Sequence, residues 1–460
     1  MRFLRLGASG LRGEVGTSLT HQLAIRYASA VGTWISETEG KASPLIGIAT
    51  DPRKSSEMLK AAVVSGLLSC GCSIMDFGIT PAPILHYGVK KLNLDGGILI
   101  GAGHHPAGWN ALVGLTSTGA CFTATEAQEM LEIYHGNVFH TAAWNQCGSI
   151  QTAPEQVVFD YIDDLFRNVD IELIRSRNFR IIADFCNGSG STVFSRIARK
   201  ANLDAVTIND TLSGELPHDP EPRPRSSVQV KSIMKPLNAD AGFVFSSDVG
   251  RVALVTDSGE TLSEEYTFPL VVENVLSGAG PGKIVATNTC STRTLDQVVA
   301  RHCGKVCKGM TGETYTIDLM HEKDAVLCGD GSGGAALQKS GTAGFDGFAS
   351  MIQILELIAR RETTLSALAG VLPRYHIIKR TIPCRSVHAY AAIKKLVSLF
   401  PDAEFSNLDG LRFDWPDGWV HIRASRTEPS LRMILEWKTR AAAEEKAINI
   451  ISMVERLVGE

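Results

Sequence analysis

The apolar run Gly97-Ile98-Leu99-Ile100 opens directly into "GAGHHPAGWN", Gly101 to Asn110, a turn built on glycines, Pro106 and the adjacent His104 and His105. This is the composition of a loop at the end of a buried strand, where backbone comes close to a ligand and a few side chains do chemistry.

Outward from that loop, strand and helix signals alternate. "HQLAIRYASAVGTWISE" (His21 to Glu37) carries apolar residues at helical spacing, "PLIGIAT" (Pro44 to Thr50) is a short buried strand, "SSEMLKAAVVSGLLSCG" a second helix and "CSIMDFG" a second strand. The cycle recurs at "FRIIADFCNGSGSTVFSRIARKANL" (Phe179 to Leu203), "AGFVFSSDVGRVALV" (Ala241 to Val255), "GKIVATNTCSTRTLDQVVARHCG" (Gly282 to Gly304) and "GDGSGG" (Gly329 to Gly334) before the helix "GFASMIQILELIARRE". Strand and helix in turn imply sheets covered on both faces, hence three similar α/β domains with several cores. The tail differs. "HIIKRTIP", "GLRFDWPDGWVHIRAS" and "SLRMILEWK" read as antiparallel strands with a closing helix, a small α+β domain. Turn-rich stretches place the domains at 1–148, 149–256, 257–368 and 369–460.

With 460 residues and a formal charge of -4, the chain has no general attraction for nucleic acid or an acidic membrane surface, so an anion must meet a local site. The N-terminus "MRFLRLGASGLRG" has no leader-like apolar stretch and no segment reaches a membrane span, which predicts a cytoplasmic protein. Its ten cysteines lack zinc-ligand spacing and read as reduced thiols; Cys186, in the glycine turn "CNGSGS", reads as buried rather than nucleophilic.

Four polar, glycine-bearing loops stand at strand ends, one per domain: the opening stretch, "FSSDVGR" (Phe245 to Arg251), "GDGSGG", and "RASRTEPSLR" (Arg423 to Arg432). Ligands of open α/β sheets sit beyond the carboxyl ends of the strands, so the four loops are expected to share one interdomain cleft. In the last loop, guanidinium groups alternate with hydroxyls, a combination that cradles phosphate.

These loops together carry a resemblance over essentially the whole chain. "LGASGLRG" and "TDPRKSS" resemble the "FGTSGLRG" and "RDTRPSS" motifs of the α-D-phosphohexomutases, the phosphomannomutases and phosphoglucomutases, and "GAGHHPAGWN", "FSSDVGR", "GDGSGG" and "RASRTEPSLR" resemble, in order, that family's active-serine, metal, sugar and phosphate loops. The resemblance implies a heart-shaped four-domain fold, three α/β domains with mixed sheets plus a C-terminal α+β domain, and an enzyme that interconverts hexose 1- and 6-phosphates through a phosphoserine, with Mg²⁺ held by three aspartates.

Position by position, much of that machinery is altered. Gly103 stands at the phosphoserine, and Ser246 and Gly250 replace the outer aspartates around Asp248. Val113 stands at the lysine and Gly334 at the sugar-loop histidine. The binding half persists: Arg12, Asn110 and Arg251 near the serine and metal positions, Asp330 and Ser332 at the sugar, Arg423, Ser425, Thr427 and Arg432 at the phosphate. We therefore expect no cofactor, with Mg²⁺ at best weakly held, and a phosphosugar-binding protein without normal mutase activity, whose vacated serine pocket takes a second phosphate. Two alternatives stand beside it. His104 or His105 carries a phosphoryl group in an atypical mutase or phosphatase, or the chain is a regulatory or scaffold subunit that meets a protein partner through Trp109, Trp415 or Trp419.

Overall fold

The computed structural model describes residues 4–384, 393, 395–424 and 430–459. The strands form four sheets. The first runs Leu4–Gly7, Gly10–Glu14, Trp109–Thr116, Gly96–Ile100, Leu45–Thr50, Ser73–Ile79, Ile150–Thr152. The second runs Val252–Thr256, Ala241–Phe245, Arg180–Asp184, Asp204–Ile208, and the third Lys305–Gly309, Ile284–Asn288, Leu327–Gly329, Ala335–Leu337. These three are mixed. The fourth, His376–Pro383, Ser430–Trp437, Gly418–Ala424, Leu411–Trp415, Glu404–Ser406, is antiparallel throughout and is closed by the helix Arg440–Gly459. Three α/β domains and a C-terminal α+β domain follow, as the alternating signals require. Strand Ile150–Thr152 pairs with Ser73–Ile79, so the first sheet takes in residues just past position 148.

Each functional loop turns out to be the turn of an antiparallel hairpin. Gly101 to Gly108 joins Gly96–Ile100 to Trp109–Thr116, Ser246 to Arg251 joins Ala241–Phe245 to Val252–Thr256, and Asp330 to Gly334 joins Leu327–Gly329 to Ala335–Leu337. The fourth joins Gly418–Ala424 to Ser430–Trp437. A turn frees backbone from the ladder, which is where glycine and short polar residues belong. The flanking strands Ala241–Phe245 and Val252–Thr256 are buried at every position, which is why they read as continuous apolar runs rather than alternations.

The second and third domains share one large core besides a smaller one of their own each. The helix Gly347–Arg360 starts at Asp346, whose carboxylate accepts from Ala349 N at 3.0 Å, and is buried from Gly347 through Ala359. Its Phe348 enters a ring cluster of the second domain, with centroids 5.2 Å from Phe245 and 6.0 Å from Phe194. The loops at 246–251 and 330–334 thereby sit on one packed unit. The C-terminal domain keeps its own core and meets the third domain through polar contacts, among them Arg412 on the Thr289 carbonyl and Arg293 on Asp414 at 3.0 Å. Trp419 is fully buried, its indole N–H donating to Glu436 Oε1 at 2.9 Å, and Trp415 packs 5.6 Å from Trp437. Trp415 packs on that core, whereas Trp419 is buried on the other face of the sheet with Arg412 at 4.2 Å over its ring, so it is not free to act as a partner anchor. Among the described residues no helix is long and apolar enough to cross a membrane.

Candidate functional site

The loop after Ile100 is held from behind by a buried ion pair. Arg53 and Asp51 meet at 2.9 Å with both side chains 2% exposed. From there the Arg53 guanidinium donates to four loop carbonyls: Gly103 at 2.9 Å, His105 at 2.7 Å, Pro106 at 2.7 Å and Trp109 at 3.2 Å. Asn110, expected among the substrate contacts, is wholly buried. Its Nδ2 donates to Ser55 Oγ and Ser56 Oγ, and its Oδ1 accepts from Ala111 N. With both amide ends engaged, it is a positioning residue.

At Gly103 the backbone has φ +51°, a left-handed value that L side chains rarely adopt, and a Cβ there would overlap Asp248 Oδ2. The carboxylate of Asp248 fills the direction in which a serine would point. Its other oxygen accepts from Ser246 Oγ at 2.6 Å and from Gly250 N at 3.1 Å. The loop is further fixed by Val249, a β-branched residue at φ 66°, whose carbonyl accepts from Gly347 N at 2.7 Å.

Burial and the surrounding guanidinium groups favour the neutral form of both histidines. His104 Nδ1 accepts from Arg251, and burial, with Arg251 next, holds its pKa well below the usual range. His105 Nδ1 donates to the Ala102 carbonyl at 3.0 Å, and burial followed by Arg12 lowers it to about 3. Its ring stacks on Trp109 at 5.5 Å, and Arg5 lies over the same indole at 5.3 Å. Trp109 is therefore part of the site wall. Arg12, cross-strand partner of Arg5, is lowered to about 10 by burial, then by Arg5 and Arg251. Its Nη2 reaches Ser9 O, while its Nε is buried with no hydrogen-bond partner.

In the sugar loop Asp330 folds back on its own turn, its Oδ1 accepting from Ser332 N at 2.9 Å and from Ser332 Oγ. A Cβ at Gly334 would overlap the Phe345 ring, and Val113 lies in the core of the first domain. Beneath this loop Lys379 spans the third and fourth domains, 2.9 Å from Glu264 Oε1 and from Glu265 Oε1, and it donates to the Gly331 carbonyl at 3.3 Å. Burial, partly offset by Lys379 and reinforced by Glu264 and Glu436, raises Glu265 to about 8. Its folded pKa exceeds the ordinary value of 4.5, so its stability contribution is complete below about pH 4.5 and is lost as pH rises through about 8. Thermal midpoints measured from pH 5 to 8 are expected to fall more steeply for the wild type than for Glu265→Gln, whose side chain is neutral throughout; parallel profiles would contradict this.

Arg423 and Arg432 face each other across the last hairpin. Ser425 and Thr427, named from the sequence as phosphate contacts, lie outside the described residues. The loops on the first three domains do converge, through Arg251 on His104 and Ser247 Oγ on the Gly103 carbonyl at 2.9 Å, and Val252 N on the Gly333 carbonyl at 3.0 Å. Sequence reasoning missed Arg53, Glu265, Lys379 and Arg223. Arg223 pairs with Glu221 at 2.6 Å and, through its Nε, with Glu264 at 3.8 Å, and this arginine adds to the charges that depress His104. In the sequence Arg223 stands in the proline-rich stretch "HDPEPRP" (His218 to Pro224), which carries no catalytic or binding pattern.

This geometry agrees with the family comparison. Residues 4–140, 159–259 and 263–375 match phosphoglucomutase/phosphomannomutase alpha/beta/alpha domains I, II and III. The chain belongs to the phosphoglucomutase/phosphomannomutase family. It is 30% identical to a phosphoglucomutase/phosphomannomutase of Thermococcus kodakarensis, over 99% of this chain and 98% of the relative. A Burkholderia thailandensis family member of known structure superposes with a TM-score of 0.85 at 23% identity, covering 98% of each chain. More distant folds include two Aspergillus fumigatus N-acetylphosphoglucosamine mutase structures, at TM-scores of 0.63 and 0.57. They share 11% and 12% identity, over 99% and 94% of this chain and 96% of each of theirs. The first is a serine-to-alanine variant with glucose 1,6-bisphosphate, the second holds GlcNAc-6P and magnesium.

Family membership corrects one expectation. The sequence led us to expect no cofactor, whereas phosphoglucomutases and phosphomannomutases use Mg²⁺, and a fold neighbour was solved with magnesium. The donors in this family member fit the ion poorly. Asp248 is the one carboxylate of its loop, one of its oxygens is taken by Ser246 and Gly250, and no cluster of three or more His, Cys, Asp or Glu suited to a metal occurs among the described residues.

Proposed function

We propose that this family member binds a hexose phosphate, and a hexose bisphosphate more tightly, in the cleft between its domains, without the ordinary mutase reaction. The carrying observation is Gly103: a position with no hydroxyl to accept a phosphoryl group, on backbone that disfavours a side chain and against a carboxylate that occupies its space. Arg423 and Arg432 take one phosphate, Asp330 and Ser332 the sugar hydroxyls, and Arg12 and Arg251 the second phosphate. The buried Nε of Arg12, which has no hydrogen-bond partner, supports an anion there, since buried donors in folded proteins are nearly always paired. The serine-to-alanine fold neighbour holding glucose 1,6-bisphosphate supports the same reading. Ten free thiols support a reducing, cytoplasmic setting.

Calorimetric titration tests it. Glucose 1,6-bisphosphate is expected to bind at least about tenfold more tightly than glucose 6-phosphate, a difference of about 1.4 kcal/mol, and Arg12→Met to remove most of that preference. Equal affinities in the wild type would overturn the proposal.

One observation favours a second reading. Because His105 spends its Nδ1 proton on a carbonyl, its Nε2 keeps a lone pair capable of attacking phosphorus. Incubation with labelled bisphosphate would then leave an acid-labile label on the protein, and an unlabelled chain would dismiss it.

A further inference from the structure

We propose, building on the cleft reading, that Lys379 is a positioning residue: it couples the sugar loop to the phosphate-binding arginines, so that one frame grips a hexose phosphate at both ends.

The C-terminal sheet has two unlike faces. Its apolar face, with Ile382, Met433, Leu435 and Ile422, packs into that domain's own core. Register puts Lys379 on the other face. It pairs with Ile434, and Thr381, two positions along, pairs with Arg432, which on its other side pairs with Arg423. Residues directly opposite in a ladder share a face, as do residues two apart in a strand, so Lys379 and both arginines stand on one side of the sheet. That side meets the third domain. Arg293 N donates to Glu436 Oε1 at 3.0 Å, and Cys290 Sγ lies 3.2 Å from His421 Nδ1.

Lys379 reaches the sugar loop itself. Its Nζ donates to the Gly331 carbonyl at 3.3 Å, between Asp330 and Ser332, and lies 2.9 Å from both Glu264 Oε1 and Glu265 Oε1. Those carboxylates are 10% and 6% exposed, and Arg223 of the second domain approaches the first of them at 3.8 Å. Gly331 lies against the second, since a Cβ there would overlap Glu265 Oε2. The loop backbone is thus seated on one carboxylate and bonded to the cation that this carboxylate holds. Such a cluster is a poor source of stability, because apolar replacements for buried ion pairs are often neutral or better, whereas fixing the relative placement of elements is a use that buried charges serve well. Placement matters for a ligand held at two ends: once the phosphate is bound, the sugar contacts form at an effective concentration set by how firmly the two sites are joined.

Calorimetry with glucose 6-phosphate on four full-length chains tests the coupling: wild type, Lys379→Met, Asp330→Asn with Ser332→Ala, and all three changes together. Lys379→Met is expected to weaken binding by about tenfold or more with the sugar loop intact, but by less than about twofold where the sugar contacts are already removed. A side chain that only stabilised the fold would cause the same loss in both backgrounds. Glu264→Gln, which loosens the hold on the ammonium without removing it, should repeat the pattern at about threefold and serves equally if Lys379→Met fails to fold. Equal losses in the two backgrounds, or no loss in either, would overturn the coupling and leave the cleft reading in place. Failure of glucose 6-phosphate to bind the wild-type chain would overturn both.

Discussion

Assayed with a hexose 1-phosphate, Mg²⁺ and added bisphosphate, the purified chain is expected to isomerise at least about 10⁴-fold more slowly than an active family member. Phosphoryl transfer rests on positioning and charge neutralisation, and removing a single stabilising group from a reaction centre typically costs about 10²–10³ in rate. Here the nucleophile itself is absent at Gly103, and Val113 and Gly334 stand where proton-handling groups are expected. The effects of groups acting as a unit do not add, so the figure is a floor set by the nucleophile rather than a product of separate losses. The more discriminating variant is Gly103→Ser. Restoring the hydroxyl is expected not to restore turnover, because the new Cβ overlaps Asp248 Oδ2 at a φ of +51°. A left-handed L residue costs about 1–2 kcal/mol, and moving Asp248 breaks its bonds to Ser246 Oγ and Gly250 N. The positions differ in this respect: a Cβ at Gly250 would lie 3.5 Å from Asp248 Oδ1, ordinary contact, whereas one at Gly334 meets the Phe345 ring. A coupled assay and a mass measurement for phosphoserine decide the matter. Wild-type turnover within tenfold of an active relative would end the binding-only reading, and robust turnover in Gly103→Ser would show that Asp248 yields freely.

The fold was legible because its determinants are local. Buried strands such as Ala241–Phe245 announce themselves as apolar runs, and the four loops stand out because hairpin turns concentrate glycine and short polar residues. The closing helix and the strand His376–Pro383 fall where the sequence places them. Periodicity reports which face is buried, not against what. Phe348 therefore reads as one more apolar residue of a third-domain helix, and nothing local shows that it completes a core begun by Phe194 and Phe245 of the second domain. The same limit applies to the site. Asn110 sits in the recognised loop, yet its partners Ser55 and Ser56 lie more than fifty residues earlier, and this turns an expected substrate contact into an anchor. Trp109 looks like an exposed aromatic until Arg5 and His105 are found packed against its ring.

Arg53 is the residue whose loss should most disturb the molecule. Replacement by alanine is expected to destabilise the first domain by about 3–5 kcal/mol, the usual cost of leaving one half of a buried ion pair behind. Asp51 would remain with Ser56 Oγ at 2.7 Å as its main side-chain donor, and four carbonyls of the cleft loop would lose a shared donor at once. Lysine should rescue little, since a single ammonium cannot reproduce the planar fork that reaches Asp51 and the carbonyls together. The loss carries a pH signature. Burial already holds the Asp51 pKa above the usual carboxylate value despite Arg53, and removing the cation pushes it further up. A carboxyl whose folded pKa is raised contributes stability that is present at low pH and lost as pH rises, so the deficit of Arg53→Ala relative to wild type should be larger at pH 7 than at pH 4. Chemical denaturation at the two pH values measures this directly, and bisphosphate titration of the folded variant should show weaker binding because the loop is no longer pinned. Wild-type-like midpoints at both pH values would mean that the loop carries its own conformation and that the Arg53 contacts follow from it rather than impose it.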